Sequence, residues 1–133
     1  VECGVGAIDV AGAGGTSWAV VEGRRAPDQA THDLGELFRD WGIPTVQAVS
    51  SLRDQFPDLP LIASGGVRHG LDAAKAIRLG ADLVGQAAAL LSPAMHGTEA
   101  VIAHVEFFAR ALRLACFATG SKNLRALRKA ALR

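Results

Sequence analysis

Between Leu61 and Gly85 the chain runs LIASGGVRHGLDAAKAIRLGADLVG. That is an apolar run, a glycine turn, a stretch of helical period, a glycine stop and a second apolar run, the order of a βαβ unit. Leu61, Ile62 and Ala63 have the continuous apolar character of a strand buried on both sheet faces. Ser64, Gly65 and Gly66 end that strand in a turn where no Cβ blocks close approach. Its N–H groups can converge on an oxyanion, and Arg68 can add a charged fork. An ordinary tight turn between strand and helix would show the same residues, so the turn alone leaves ligand binding open.

The helix after the turn carries Leu71, Ala74 and Ile77 on one face, with Asp72 in the first turn and Gly80 as its stop. Gly4 to Val10 repeats the glycine-then-strand pattern with no helix before it, which leads us to expect a chain that begins within an architecture. Ala11 to Thr16 is a second glycine-rich strand exit. A short helix is expected from Ser17 to Val21, a polar loop from Glu22 to His32, and a helical face at Leu34, Leu37 and Phe38. Pro44 then opens a helix carrying Val46, Val49, Leu52 and Phe56. Val101, Val105, Phe108, Leu112 and Ala115 mark a long helix. Thr119 to Ser121 breaks it, with Ser121 or Asn123 capping a final basic helix.

Strands at about 7–10, 61–63 and 82–85, each followed by helix, predict a parallel α/β fold. Three strands do not close a barrel, which takes about 250 residues for eight βα units. The expectation for residues 1–133 is therefore a partial domain. It would be the last three βα units of a (β/α)₈ TIM barrel, strands six to eight, with a C-terminal helical extension over about 97–133. A small open sheet is the structural alternative.

Composition narrows the function classes. With 133 residues, half of them hydrophobic, and a net charge of +1, one core is affordable and no field recruits nucleic acid or an anionic membrane. Lys122, Arg125, Arg128, Lys129 and Arg133 form a basic end, expected to be the solvated face of the last helix because no aromatic residue follows Phe117 to stack on bases. Cys3 and Cys116 have no metal or redox spacing, and no stretch is long and apolar enough to span a bilayer, so a cytoplasmic location is expected.

Parallel strands set their C-terminal loops side by side. Gly12 to Thr16, Gly65 to Arg68 and Gln86 to Ala88 should line one rim, where barrels hold phosphates after their last two strands. Thr16 can add a hydroxyl or simply cap its turn. Asp9 and Asp82 are expected at strand starts, away from that rim, as structural hydrogen-bond acceptors. His32 and His69 are expected in solvated loops, and His96 and His104 have no second metal ligand at useful spacing. Glu99 and Glu106 are expected on the surface of a helix. Trp18 and Trp41 are expected to pack, although Trp18 is near enough to the glycine loop to cover a flat ligand. No Ser/His/Asp or Cys/His set is present, so no catalytic or metal residue is assigned.

Four segments, DVAGAGGTSW at 9–18, DWGIPT at 40–45, SGGVRHGLDAAKAIRLGADLVG at 64–85 and TGSKNLRAL at 119–127, resemble the type 2 isopentenyl-diphosphate isomerases. The resemblance implies an FMN flavoprotein of isoprenoid biosynthesis that interconverts isopentenyl and dimethylallyl diphosphate by proton transfer, with Mg²⁺ and with NAD(P)H keeping the flavin reduced. It implies that Thr16 contacts the flavin, that Gly66, Val67 and Arg68 form the phosphate turn after the seventh strand, and that Ala87 and Ala88 form the turn after the eighth. Ala89 stands where the family usually has proline before the double leucine. The family's N-terminal basic residues, its flavin-contacting lysine and its Gln-Glu pair are not among these residues. The chain is therefore expected to be a C-terminal part that neither binds FMN tightly nor turns over alone, in a homo-oligomer. An FMN hydroxy-acid oxidase is the alternative enzyme, but 9–62 offers no matching His and Arg pair. A non-catalytic half-barrel that binds a phosphorylated ligand is the third reading.

Overall fold

The computed structural model describes residues 3–131. Three short strands, β1 (Ile8–Asp9), β2 (Leu61–Ala63) and β3 (Leu83–Val84), pair in parallel in the order β1-β2-β3. Ile8 lies opposite Leu61, and Ile62 opposite Leu83. Because side chains alternate across a strand, Leu61 and Ala63 face one layer while Ile62 faces the other with Asp9 and Leu83. The first layer is the core: Ala63 packs with Val10, Val49, Ala76 and Ala81, and Leu61 is fully buried. On the second face Asp9 and Leu83 are exposed.

Helices α3 (Thr45–Gln55) and α4 (Gly70–Arg78) supply that core. On α4 the buried positions are Ala73, Ala74, Ala76 and Ile77, while Leu71 remains about half exposed. The helix begins with a reciprocal cap: the His69 ring accepts from the Asp72 N–H, and the Asp72 carboxylate accepts from the N–H groups of His69 and Arg68. His69 is thus a cap rather than a free loop histidine. Behind α4 lie α6 (Thr98–Ala118) and the single turn α7 (Leu124–Leu127), where Ala74, Ile77 and Leu127 form a second cluster with Leu112 and Ala115. Between β3 and α6 stands α5 (Ala88–His96), with Pro93 inside it.

Several expectations give way. The segment 22–32 is not a loop: α1 runs from Trp18 to Arg25 and α2 from Gln29 to Leu37, with Asp28 as N-cap accepting from the Thr31 N–H at 2.8 Å and the Thr31 hydroxyl at 2.8 Å. His32 lies inside α2. Gly23 and Gly35 look like breakers in the sequence but sit where the two helices cross, and a Cβ on Gly35 would stand 2.6 Å from the Ala19 carbonyl oxygen. Leu34, Leu37 and Val46 are exposed rather than core-facing.

At the other end, Asn123 caps α7 by accepting from the Ala126 N–H, but the helix lasts one turn. Arg128 is not part of a free solvated face, because it pairs with the Asp82 carboxylate at 2.6 Å and donates to the Ala81 carbonyl. Arg133 lies outside the described residues.

Asp82 is held as a structural acceptor. It takes the Leu61 N–H at 2.9 Å and the Arg53 guanidinium at 2.7 Å in addition to Arg128. Partial burial opposes its charge, yet the Leu61 N–H and the two guanidinium groups outweigh that, and its pKa lies below the ordinary 3.8. Arg53 also donates to the Gly80 carbonyl at 2.9 Å. One carboxylate therefore ties α3, β2, β3 and the C-terminal segment together at the end of the sheet away from the rim.

Candidate functional site

The C-terminal ends of β1 and β2 continue into two glycine loops that interlock. The Gly12 N–H donates to the Ser64 carbonyl at 3.1 Å. A Cβ on Gly66 would lie 2.5 Å from the Gly14 carbonyl oxygen. Gly65 and Gly66 both have left-handed backbones, φ +86° and +81°, which a residue with a Cβ adopts only under strain. The glycines are thus required by the meeting of two backbones as well as by any ligand.

The DWGIPT segment completes this arrangement. Ala13 donates to Ile43 at 2.8 Å and accepts from the Thr45 N–H at 3.2 Å, so residues 43–45 run beside the first glycine loop. The Thr45 hydroxyl then turns to the second loop, bridging the Gly65 carbonyl at 2.6 Å and the Ser64 carbonyl at 3.2 Å. Sequence inspection singled out both motifs without showing that they touch.

The far side of the turn is held by Gln86, at the exit of β3. Its amide donates to the Arg68 carbonyl at 2.9 Å and to the Val67 carbonyl at 3.3 Å. The carbonyls of Ser64, Gly65, Val67 and Arg68 are therefore all engaged by two side chains. The N–H groups of Gly66, Val67, Ala87 and Ala88 donate to nothing among the described residues. Apart from the Gly66 carbonyl, the turn's acceptors are engaged, and donors are left over. The Arg68 N–H is the exception, being taken by Asp72 at 3.0 Å, so Arg68 offers its guanidinium instead, now in a 3.5 Å contact with the Gly14 carbonyl.

Such a surface suits a phosphate group. A Cβ on Gly15 would stand 2.7 Å from the Gly66 nitrogen, so glycine there keeps open one of the free donors. Thr16 and Arg68 share a groove of about 1030 Å³ with Trp18 and Trp41. Gly66 and Val67 line a neighbouring cavity of about 200 Å³ together with Gly14. Ala87 and Ala88 follow Gln86 at the start of α5 and line neither space. Trp18 and Trp41 correct the expectation of packing: they are 72% and 83% exposed, on the open rim, where Trp41 meets Phe38 edge to face at 5.7 Å.

Asp9 is also displaced from its expected position. It is the last residue of β1, and its carboxylate accepts from the Ser64 hydroxyl at 2.6 Å, so it lies toward the glycine turn rather than at a strand start away from it. His104, on α6, meets the Gln86 carbonyl oxygen at 3.2 Å. Gln86 and Thr45 are the two residues that hold the turn's carbonyls. Thr45 closes the DWGIPT segment and Gln86 was expected on the rim, but their hold on these carbonyls depends on distances between segments that one sequence does not carry. Among the described residues no group of three or more His, Cys, Asp or Glu is placed to hold a metal ion.

The model of the family described as FMN-dependent dehydrogenase matches residues 1–133. Isopentenyl-diphosphate delta-isomerase of Stutzerimonas stutzeri (strain A1501) is 61% identical over 132 residues, 99% of this chain, and that of Vibrio campbellii is 62% identical over 130 residues, 98% of this chain. In each case the chain spans only 38% of the relative's own length. A GMP reductase from Trypanosoma brucei, solved in complex with guanosine 5'-triphosphate, matches with a TM-score of 0.67 and 23% identity over 97% of this chain and 28% of that one. This last likeness bears on fold alone.

Proposed function

Because the chain belongs to the FMN-dependent dehydrogenase family, we propose that it forms the phosphate-holding end of an FMN site in the C-terminal part of a (β/α)₈ barrel, within an isomerase acting on isopentenyl and dimethylallyl diphosphate. The observation that carries this reading is the turn at 64–68, whose carbonyls, Gly66's aside, are occupied by Thr45 and Gln86 while the N–H groups of Gly66 and Val67 stay free. An FMN phosphate would sit against those donors and the pair at Ala87 and Ala88, with the Arg68 guanidinium adding charge. Thr16 would meet the flavin from the neighbouring loop. Reduced flavin would supply the acid–base chemistry that moves the double bond, and NAD(P)H the electrons that keep it reduced. Mg²⁺ and the substrate's diphosphate would be held by residues other than those described.

The relatives' names support the substrate class, and the two free thiols, Cys3 and Cys116, support a cytoplasmic setting. No helix among the described residues is long and apolar enough to cross a membrane. Leu83, Leu37, Trp41 and Phe117 present uncovered apolar surface, which supports association with further copies.

Equilibrium dialysis of the purified 133-residue chain tests the reading. FMN should bind weakly and riboflavin, which lacks the phosphate, at least tenfold more weakly. Isopentenyl diphosphate should not be turned over, and light scattering should show species larger than one chain. Riboflavin binding as tightly as FMN would refute the phosphate grip. Turnover free of any longer contaminant would refute the assignment of catalysis to other residues, and a monodisperse single chain would refute self-association.

A further inference from the structure

We infer that Gln86 and His104 are a positioning pair for the phosphate turn, bracing its second half without touching the phosphate. The inference rests on the phosphate-grip reading and adds to it His104 and the reason the Gln86 amide faces as it does.

The Gln86 side chain has one donating and one accepting end, and the two ends look alike in shape. Its Nε2 faces the carbonyl oxygens of Val67 and Arg68, at 3.3 and 2.9 Å. Were the amide turned over, its Oε1 would face those same two oxygens, acceptor against acceptor. The two carbonyls select the amide's orientation, and His104 backs it. Its Nε2 lies 3.2 Å from Gln86 Oε1, and with Oε1 able only to accept, the histidine nitrogen must carry the proton. A peptide group's N–H and C=O point in opposite directions. Fixing the Val67 carbonyl fixes the peptide plane to the Arg68 nitrogen, which Asp72 holds from the other side at 3.0 Å. The Gly66 N–H shares its peptide with the Gly65 carbonyl that Thr45 holds, and the Val67 N–H lies on the next peptide, between that one and the peptide Gln86 holds. Thr45 performs the same service at Ser64 and Gly65, so the turn is braced at both ends.

The cost of binding falls when the donors are already aimed. Losing the Gln86 clamp should weaken FMN by about tenfold, the scale of one hydrogen-bonded contact, and leave riboflavin unchanged because the pair acts only on the phosphate turn. The test is dialysis of FMN and riboflavin against the 133-residue chain carrying Gln86→Leu, Gln86→Glu, His104→Leu or His104→Gln. Gln86→Leu should lose most of the FMN preference. Gln86→Glu, which puts carboxylate oxygens against two carbonyls, should lose at least as much. His104→Leu should lose about threefold, and His104→Gln, which keeps an N–H donor, should recover most of it. Should Gln86→Leu fail to fold, the two His104 variants decide the matter alone.

An unchanged FMN preference in Gln86→Leu, a parallel loss of riboflavin binding, or no difference between His104→Leu and His104→Gln would overturn the positioning role. Wild-type chain with no preference for FMN would overturn the phosphate grip itself and this inference with it. Retention of that preference in every variant overturns only the positioning pair.

Discussion

Asp82 shows how a single side chain can be structural and still be mistaken in kind for a catalytic one. It is a partly buried carboxylate with a lowered pKa, yet its partners are two guanidinium groups and a strand N–H at the end of the sheet opposite the glycine loops. Because the folded state binds the proton less readily than the unfolded chain, the stability Asp82 lends is fully present above its ordinary 3.8 and is lost as pH falls through the lower folded value. Asp82→Asn should therefore cost about 1–2 kcal/mol at neutral pH, allowing for solvent around the pair. In denaturant titrations across pH 7 to 2.5, the gap between the two proteins should close below pH 4. A constant gap over that range would show that charge is not what the site supplies. The sequence shows Asp82 as structural because it precedes a strand. It does not show Arg128 as its partner, since a basic residue near a terminus looks the same whether solvated or folded back.

At the level of elements, what was legible and what was not divide along the source of the signal. The stretch from β2 to β3 was legible because turn, helical period and stop agree there, although the His69 cap was not read and Leu71 is half exposed. The pair α1 and α2 was not, because Gly23 and Gly35 are placed for a close crossing of helices, a tertiary requirement that in one dimension looks like two breakers. The exposed faces of Leu34, Leu37 and Val46 misled in the opposite sense: their helical spacing is real, but nothing among the described residues covers them. Gly70 combines both lessons. It opens α4 as an unremarkable turn glycine, yet a Cβ there would collide with the Phe108 carbonyl and the Leu112 nitrogen of α6. Gly70→Ala should destabilise the chain by about 1–3 kcal/mol through forced separation of α4 and α6. Gly6→Ala, with open space around it, should be near neutral. Equal melting temperatures for the two variants would mean that α6 yields without cost.

Across the whole molecule, a parallel three-stranded sheet with one packed face explains why the rim loops were legible as a group. Parallel strands necessarily bring their exits to one edge, so the loops could be assembled from strand order alone. The braces at Thr45 and Gln86 could not be, since they depend on the distances between segments far apart in sequence. Those distances have a consequence in time. The contacts of α1 with α2 join residues about a dozen positions apart, whereas Ser64 reaches Asp9 across 55 residues and Arg68 reaches Gly14 across 54. Closing the longer loops costs more chain entropy before any contact repays it. During refolding, pulsed hydrogen exchange should protect the amides of Val21 and His32 in the helical pair before those of Val10 and Gly12, which bond to Ile62 and Ser64. Simultaneous protection would refute that order. The rim where the two glycine loops interlock is then the last part of the chain to acquire its shape, and any affinity it carries serves as a clock for the completion of folding.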